Sequence, residues 1–258
     1  MWQNQSVAVI LPTYNEADSI AACVATFAAL GLVDDIIVVN NNAHPDTSPN
    51  LVGSAAREIF ETRQGYGAAI RRGFSETQAD IVCVCEPDGT FDPNDLFKLL
   101  PFLTDSDVVL GSRTVSQFIF DGANMDFSLK WGNWAVAKLV EVLFNTPYLS
   151  DVGCTFRILK RPVIADITPY FELYGSSFGL EMMLLSLIRR HPFVQVPVRY
   201  LPRVGESSVT GDKRKAVMLG VEMIGLVLRK RLKSVGKRPP RRRLPTLVDP
   251  PERSQAQH

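Results

Sequence analysis

Histidine is scarce in this chain, with three residues in 258, and its four cysteines, Cys23, Cys83, Cys85 and Cys154, form no C-x-x-C pair. Nothing therefore has the ligand spacing of a zinc site. Cys83 and Cys85 fall on one side of a single predicted strand and the other two lie in apolar surroundings, so reduced core thiols in a cytosolic protein are the expectation. Long uncharged runs are missing as well: no stretch of about 18 residues is free of charge, and no membrane span is expected. The opening Met1-Trp2-Gln3-Asn4-Gln5 has neither the basic nor the apolar part of a secretory signal, which again points to the cytoplasm. No internal repeat is visible.

Net charge is nearly absent on average, at +1, but the average conceals an uneven spread. Residues 1–228 hold 18 Lys and Arg against 25 Asp and Glu, a net of −7, whereas residues 229–258 hold 10 against 2, a net of +8. An acidic body thus carries a basic tail. With 46% apolar and 21% charged residues the body has the composition of a globular protein, and its length suits one large α/β domain. From Ser234 onward Pro, Arg and Lys dominate, so residues 1–233 are expected to fold and 234–258 to form a disordered tail.

Within the body, short apolar runs alternate with helical patterns. Val7 to Leu11 reads as a central parallel strand ending at Pro12, followed by a helix from Ala17 to Leu30 closed by Gly31. Ile36 to Val39 is a second strand and residues 47–57 a helix. Glu58 to Glu61 is a short edge strand, and Tyr66 to Gln78 is helical. A strand at 81–85, a helix from Leu96 to Leu103 and a strand at 107–110 complete the first half. This alternation predicts a doubly wound, mostly parallel α/β sheet with flanking helices. The later part predicts helices at 127–144, 180–190 and 215–232, with strands at 155–159 and 193–198. The 215–232 helix reads as amphipathic, with two readings open: packed on the core, or lying in the interface of an anionic membrane with its basic flank. The basic tail has no interleaved aromatic residues, so no specific nucleic-acid partner is expected.

The segment Ile81-Val82-Cys83-Val84-Cys85-Glu86-Pro87-Asp88-Gly89 carries the sharpest chemical signal. A buried strand ends in two carboxylates two residues apart, and a Pro and a Gly turn the chain away. At the carboxyl edge of an α/β sheet, where ligands bind, two hard oxygen ligands suit a Mg²⁺ or Mn²⁺ ion holding a phosphate-bearing substrate. A solvated turn has the same composition. Leu11-Pro12-Thr13-Tyr14-Asn15-Glu16 offers an aromatic ring and a carboxylate to a base or ribose, or simply starts a helix with Asn15 as its cap. Gly65-Tyr66-Gly67 opens a helix whose N–H groups could approach a phosphate, but Ile70 stands where a dinucleotide fingerprint needs Gly. Gly111-Ser112-Arg113, Asp151-Val152-Gly153-Cys154-Thr155-Phe156-Arg157 and Arg203-Val204-Gly205-Glu206-Ser207 add basic residues and a small-residue loop suited to closing over a phosphate.

In this order, from about Val7 to Leu232, the segments resemble a family 2 glycosyltransferase with the GT-A fold. The branch they look like is the dolichyl/polyprenyl-phosphate mannosyl- and glucosyltransferase one. The resemblance implies transfer of a hexose from a UDP- or GDP-sugar, with inversion, to a membrane-associated acceptor, with polyprenyl phosphate first and another lipid or small hydroxyl second. It implies Pro12, Tyr14, Glu16, Asn40 and Gly65 at the nucleotide, and Glu86 and Asp88 at the metal and sugar diphosphate. It also implies Arg113 near the phosphates and Asp151, Arg157, Arg203 and Lys213 on the acceptor side. A hydroxyl acceptor would need a base, for which Asp151 and then Glu181 are the candidates. Glu86 and Asn40 depart from the family's usual Asp at both places. A nucleotidyltransferase or a lapsed, membrane-bound scaffold are the rival readings. The former lacks its Gly-rich basic loop after the first strand.

Overall fold

The computed structural model of the chain describes residues 1–123, 127–146, 148–205 and 213–235, excepting the side chains of 127–129 and 213–217. Strand β1 (Val7–Thr13) is buried along its whole length because parallel strands flank it, β2 (Asp35–Asn40) on one side and β4 (Ile81–Val84) on the other. That double burial explains an uninterrupted apolar run instead of an alternating one. Residue by residue the strand still feeds two cores. Ile10 packs with Ile37, Ile70 and Phe74, while Val9 and Leu11 face Ile20, Val24 and Phe27. Ile20, Val24 and Phe27 come from helix α1 (Ala17–Ala29), and Ile70 and Phe74 from helix α3 (Tyr66–Ser75), so the sheet is covered on both faces.

Chain order fixes where the ligand edge lies. From β1 the chain steps outward to β2 and then to the edge strand β3 (Arg57–Phe60), and returns to the other side of β1 to form β4. The loops after β1 and β4 therefore open at the point where the winding reverses, the crevice in which such sheets bind ligands. Beyond β4 the sheet continues through β6 (Arg157–Lys160), β5 (Val108–Ser112) and β7 (Phe193–Pro197), in the order β3-β2-β1-β4-β6-β5-β7. Only β6 runs against the rest, pairing antiparallel with both β4 and β5. The expected doubly wound, mostly parallel sheet is thus the observed one.

Several boundaries differ from expectation for local reasons. Pro12 does not end β1 but lies in register opposite Val39. By that point β4 pairs no further than Ile10, so no ladder bond on that side is lost. The helix expected at 47–57 is the four-residue α2 (Thr47–Asn50), cut off by a turn in which Gly53 takes φ +75°. Helix α4 (Leu96–Leu99) tightens into a 3₁₀ segment, Leu100–Thr104, at Pro101. The strand expected from Thr155 starts at Arg157, because the residues before it wrap round the Asp151 carboxylate.

The remaining helices are α5 (Phe127–Phe144), α6 (Arg161–Ile167), α7 (Phe178–Ile188) and α8 (Lys213–Ser234). Helix α8 buries Leu226, Val227 and Lys230 against the body, and it also exposes Met218, Val221, Ile224, Leu228 and Leu232. Its apolar residues thus lie on two sides. Among the described residues no helix is long and apolar enough to cross a membrane. The basic tail beyond Val235 lies outside the described residues.

Candidate functional site

The acid turn hangs directly from β4. Cys85 still donates to the Ile10 carbonyl (3.2 Å), after which Ser19 Oγ of α1 donates to the Pro87 carbonyl (2.6 Å) and pins the turn. Gly89 follows at φ +79°, a conformation that L side chains resist. Asp88 is fully buried. Its Oδ1 accepts from the Thr90 N–H (2.9 Å) and hydroxyl (2.6 Å), while its Oδ2 has no hydrogen-bond partner and faces Arg203 Nη2 as an ion pair. The same Nη2 lies 3.4 Å from Glu86 Oε2. Glu86 and Asp88 therefore converge on one point. Burial, and then the neighbouring Asp88 charge, push the Glu86 carboxyl up to about 8, against the pull of Arg203.

Arg203 reaches this point from the segment after β7. Leu201 donates to the Thr90 carbonyl and Val204 to that of Asp88, both at 2.9 Å, so the segment lies antiparallel on the acid turn. Tyr200 joins the same group: it bridges to Phe91 and lies under Arg113, whose guanidinium carbon is 5.3 Å from the ring centre. Burial raises the Tyr200 hydroxyl's pKa, and the charges it feels include Arg113, Asp88, Arg203 and Glu86. No motif marked Tyr200 or Thr90 in the sequence. The only signal for Tyr200 was an aromatic residue two places before Pro202.

Arg113 and Asp151 form a second pair with different geometry. Asp151 Oδ2 accepts from Arg113 Nε (2.8 Å) and from its backbone N–H (3.0 Å). Its Oδ1 accepts from Arg113 Nη2 (3.0 Å), Gly153 N–H (2.9 Å) and Cys154 N–H (3.1 Å). Burial alone would raise this carboxyl, but the Arg113 charge and these donors outweigh it and hold it below the ordinary value. A fully buried carboxylate with five donors has no lone pair for a substrate proton, so the expectation of Asp151 as a base gives way to a role in fixing Arg113. Glu181 fares no better. It is buried, paired with Lys230 Nζ (2.6 Å), and accepts from the Glu172 and Leu173 N–H groups (3.1 Å and 2.9 Å).

Arg157 is a further correction. Its side chain is buried and its guanidinium donates to the carbonyls of Cys154 (2.6 Å), Val152 (3.1 Å) and Gly179. It ties the 152–154 turn to α7, so its donors are spent on the fold. Lys213 begins α8, but its side chain lies outside the described residues.

On the nucleotide side, Glu16 curls back onto its own loop, with Oε2 accepting from the N–H groups of Tyr14 (2.6 Å) and Asn15 (2.9 Å). Asn15 is not the cap of α1. Glu16 itself occupies that position, without capping through its side chain. Tyr14 and Pro12 stand at the end of β1, with Tyr14 exposed. Asn40 is spent internally, donating to Glu58 Oε1 (2.8 Å) and accepting from the Ala43 N–H (2.9 Å). An Asp here would face the Glu58 carboxylate, which accounts for the amide. Gly65, at φ +142°, packs so tightly that a Cβ would meet the Tyr174 carbonyl oxygen. Its N–H is taken by Asn41 Oδ1 (2.7 Å), not offered to a phosphate.

The donor set suits one kind of metal. Among the described residues no group of three or more His, Cys, Asp or Glu side chains is placed to hold a metal ion, so none of them forms an all-protein cage. Two convergent carboxylates, with a buried Asp88 oxygen whose partner is a cation, Arg203, fit a hard cation that takes its other ligands from water and a diphosphate, as Mg²⁺ and Mn²⁺ do.

The sequence profile described as glycosyl transferase family 2 matches residues 8–168, more than half of the chain. The chain belongs to that family. Its match to an uncharacterized glycosyltransferase of Mycobacterium tuberculosis is 27% identical over 215 residues, covering 83% of this chain and 94% of the relative. The undecaprenyl-phosphate mannosyltransferase of Micrococcus luteus is 26% identical over 235 residues, covering 86% and 95%. Among solved structures, glucosyl-3-phosphoglycerate synthase from M. tuberculosis, in complex with Mn²⁺, UDP and phosphoglyceric acid, superposes with a TM-score of 0.69. It is 17% identical, with 88% of this chain and 79% of that one covered. This family 2 glycosyltransferase therefore shares the GT-A fold, with the acid turn at the sheet's reversal point.

Proposed function

We propose that the enzyme transfers a hexose, with inversion, from a UDP- or GDP-sugar to polyprenyl phosphate at a membrane surface. One observation carries the donor side: Glu86 and Asp88 converge at the reversal point of the sheet, beside Arg113 and Arg203. These two carboxylates would hold Mg²⁺ or Mn²⁺, which when bound neutralises charge on a leaving diphosphate. Arg113, held rigid by Asp151, presents a fixed positive charge to the same leaving group and costs no reorganisation when charge develops. Pro12, Tyr14 and Glu16 line the base side, where the exposed Tyr14 ring offers a stacking surface.

The acceptor reading rests on what is missing from the named base candidates. Asp151 and Glu181 are both consumed by buried ion pairs. A hydroxyl acceptor needs a base, whereas a phosphate is already anionic at neutral pH and can attack the anomeric carbon unaided. The name of the Micrococcus relative agrees with a polyprenyl phosphate. The membrane reading draws on the exposed apolar side of α8, Met218, Val221, Leu228 and Leu232, followed by a net +8 over residues 229–258. Such a helix with a polybasic flank binds anionic leaflets at about 1 kcal/mol per basic residue near the surface. Residues 1–233 would carry the reaction and 234–258 the membrane attraction.

A transfer assay tests both sides, using UDP- and GDP-hexoses with Mn²⁺, undecaprenyl phosphate or a free sugar as acceptor, and anionic liposomes. The expected result is release of nucleoside diphosphate with undecaprenyl phosphate only, and flotation of the enzyme with the liposomes. Release of pyrophosphate, or transfer to the free sugar alone, refutes the proposal.

A further inference from the structure

Two carboxylates brought to one point in a buried turn repel each other, and that repulsion must be relieved even when no substrate is bound. One side chain contacts both acids. Arg203 Nη2 contacts Asp88 Oδ2 and lies 3.4 Å from Glu86 Oε2. We infer that Arg203 is the resident cation of the donor-free site, occupying the Glu86–Asp88 pair until a divalent cation with its diphosphate exchanges for it. The inference rests on the proposed metal role of these two acids and adds a competitor for them.

Three features point to exchange in preference to a permanent tie. The contact is divided: a single nitrogen, Arg203 Nη2, meets both Asp88 Oδ2 and Glu86 Oε2, whereas Arg113 gives two nitrogens of its fork to Asp151 alone. Arg203 also keeps 22% of its side-chain surface in solvent, so it can leave without exposing a packed core. Finally, its segment is fastened to the acid turn itself, through Leu201 N–H to Thr90 and Val204 N–H to Asp88. Displacing the side chain therefore leaves its backbone in place and releases a guanidinium beside the two phosphates it can then grip. Donor entry and release of the Arg203 side chain become one event.

The test measures Mn²⁺ binding to the full-length enzyme directly, by the paramagnetic signal of free Mn²⁺, with no nucleotide present. Arg203→Ala should bind Mn²⁺ about tenfold or more tightly than the wild type, because its competitor is gone, while Arg203→Lys should stay close to wild type. In the wild type, saturating Mn²⁺ should raise trypsin cleavage after Arg203 several-fold, a readout that does not depend on the folding of any variant. Equal or weaker Mn²⁺ binding by Arg203→Ala, or cleavage unaffected by Mn²⁺, overturns the exchange while leaving the metal site standing. Failure of wild type and variant alike to bind Mn²⁺ overturns the metal role as well.

Discussion

Two arginine–carboxylate pairings sit near each other at one edge of the sheet, and they are built in opposite ways. Arg113 and Asp151 satisfy each other through a two-pronged contact, and backbone N–H groups complete the carboxylate's partners. Arg203 serves two carboxylates at once and leaves an Asp88 oxygen without a hydrogen bond. A buried charge with every partner in place is architecture, since removing any partner strands the rest. One guanidinium nitrogen shared between two carboxylates leaves oxygen lone pairs that a cation can take. The contrast separates the residues that hold the site from those that would use it.

Substitution should pull these two roles apart. Asp88→Asn keeps the shape of the turn and an oxygen for the Thr90 donors, but removes the charge that a cation needs. Transfer should fall by about 10³-fold or more, with Tm changed by only a few degrees. Asp151→Asn should do the reverse in stability. Its amide N–H₂ would be driven against N–H donors of Arg113 or of the 153–154 backbone, at a cost of about 3–5 kcal/mol in chemical denaturation. Near-wild-type stability in Asp151→Asn would show that the saturated pair is not structural. Arg157→Met comes next. Three carbonyls lose their donor, so a loss of about 2–4 kcal/mol is expected, offset in part by the better fit of an apolar side chain. A selective rise in KM for the acceptor, with stability unchanged, would restore Arg157 to the acceptor site.

The same contrast marks what could be read in the sequence. The strands were legible because burial on both faces turns a parallel strand into a plain apolar run, and the acid turn because Glu86-Pro87-Asp88-Gly89 breaks that run abruptly. Arg203 and Arg113 were legible as charges beside small residues. What the sequence hid was the partner of each charge. Asp151, Arg157 and Glu181 look as reactive on paper as Asp88 does, and only three-dimensional contacts with Arg113, three carbonyls and Lys230 consume them. Asn40 was hidden in the same way, because Glu58, 18 residues away, takes its donor. Tyr200 was missed because an aromatic residue after a strand signals packing far more often than a site.

The smallest effect expected is the pH dependence of the Glu86–Asp88 pair, and its sign distinguishes the pair from Arg113–Asp151. The folded-state pKa of Glu86 stands at about 8, above its ordinary value of 4.5, because burial and Asp88 disfavour its charge. Between these limits the native state holds a proton that the unfolded chain has lost, so the contribution of this group falls as pH rises and levels off above about 8. Asp151 shifts the other way: its contribution is complete above the ordinary carboxyl range and is lost only as pH falls below it. In chelator, thermal melts at pH 5.5 and 8.5 should therefore differ by about 1 kcal/mol less in Glu86→Gln than in the wild type, the figure being discounted for solvent and Arg203 screening. Added Mn²⁺ should reverse the trend in the wild type, because the cation must displace the Glu86 proton and so stabilises more as pH rises. A Glu86→Gln variant whose stability changes with pH as the wild type's does would place the titrating group elsewhere.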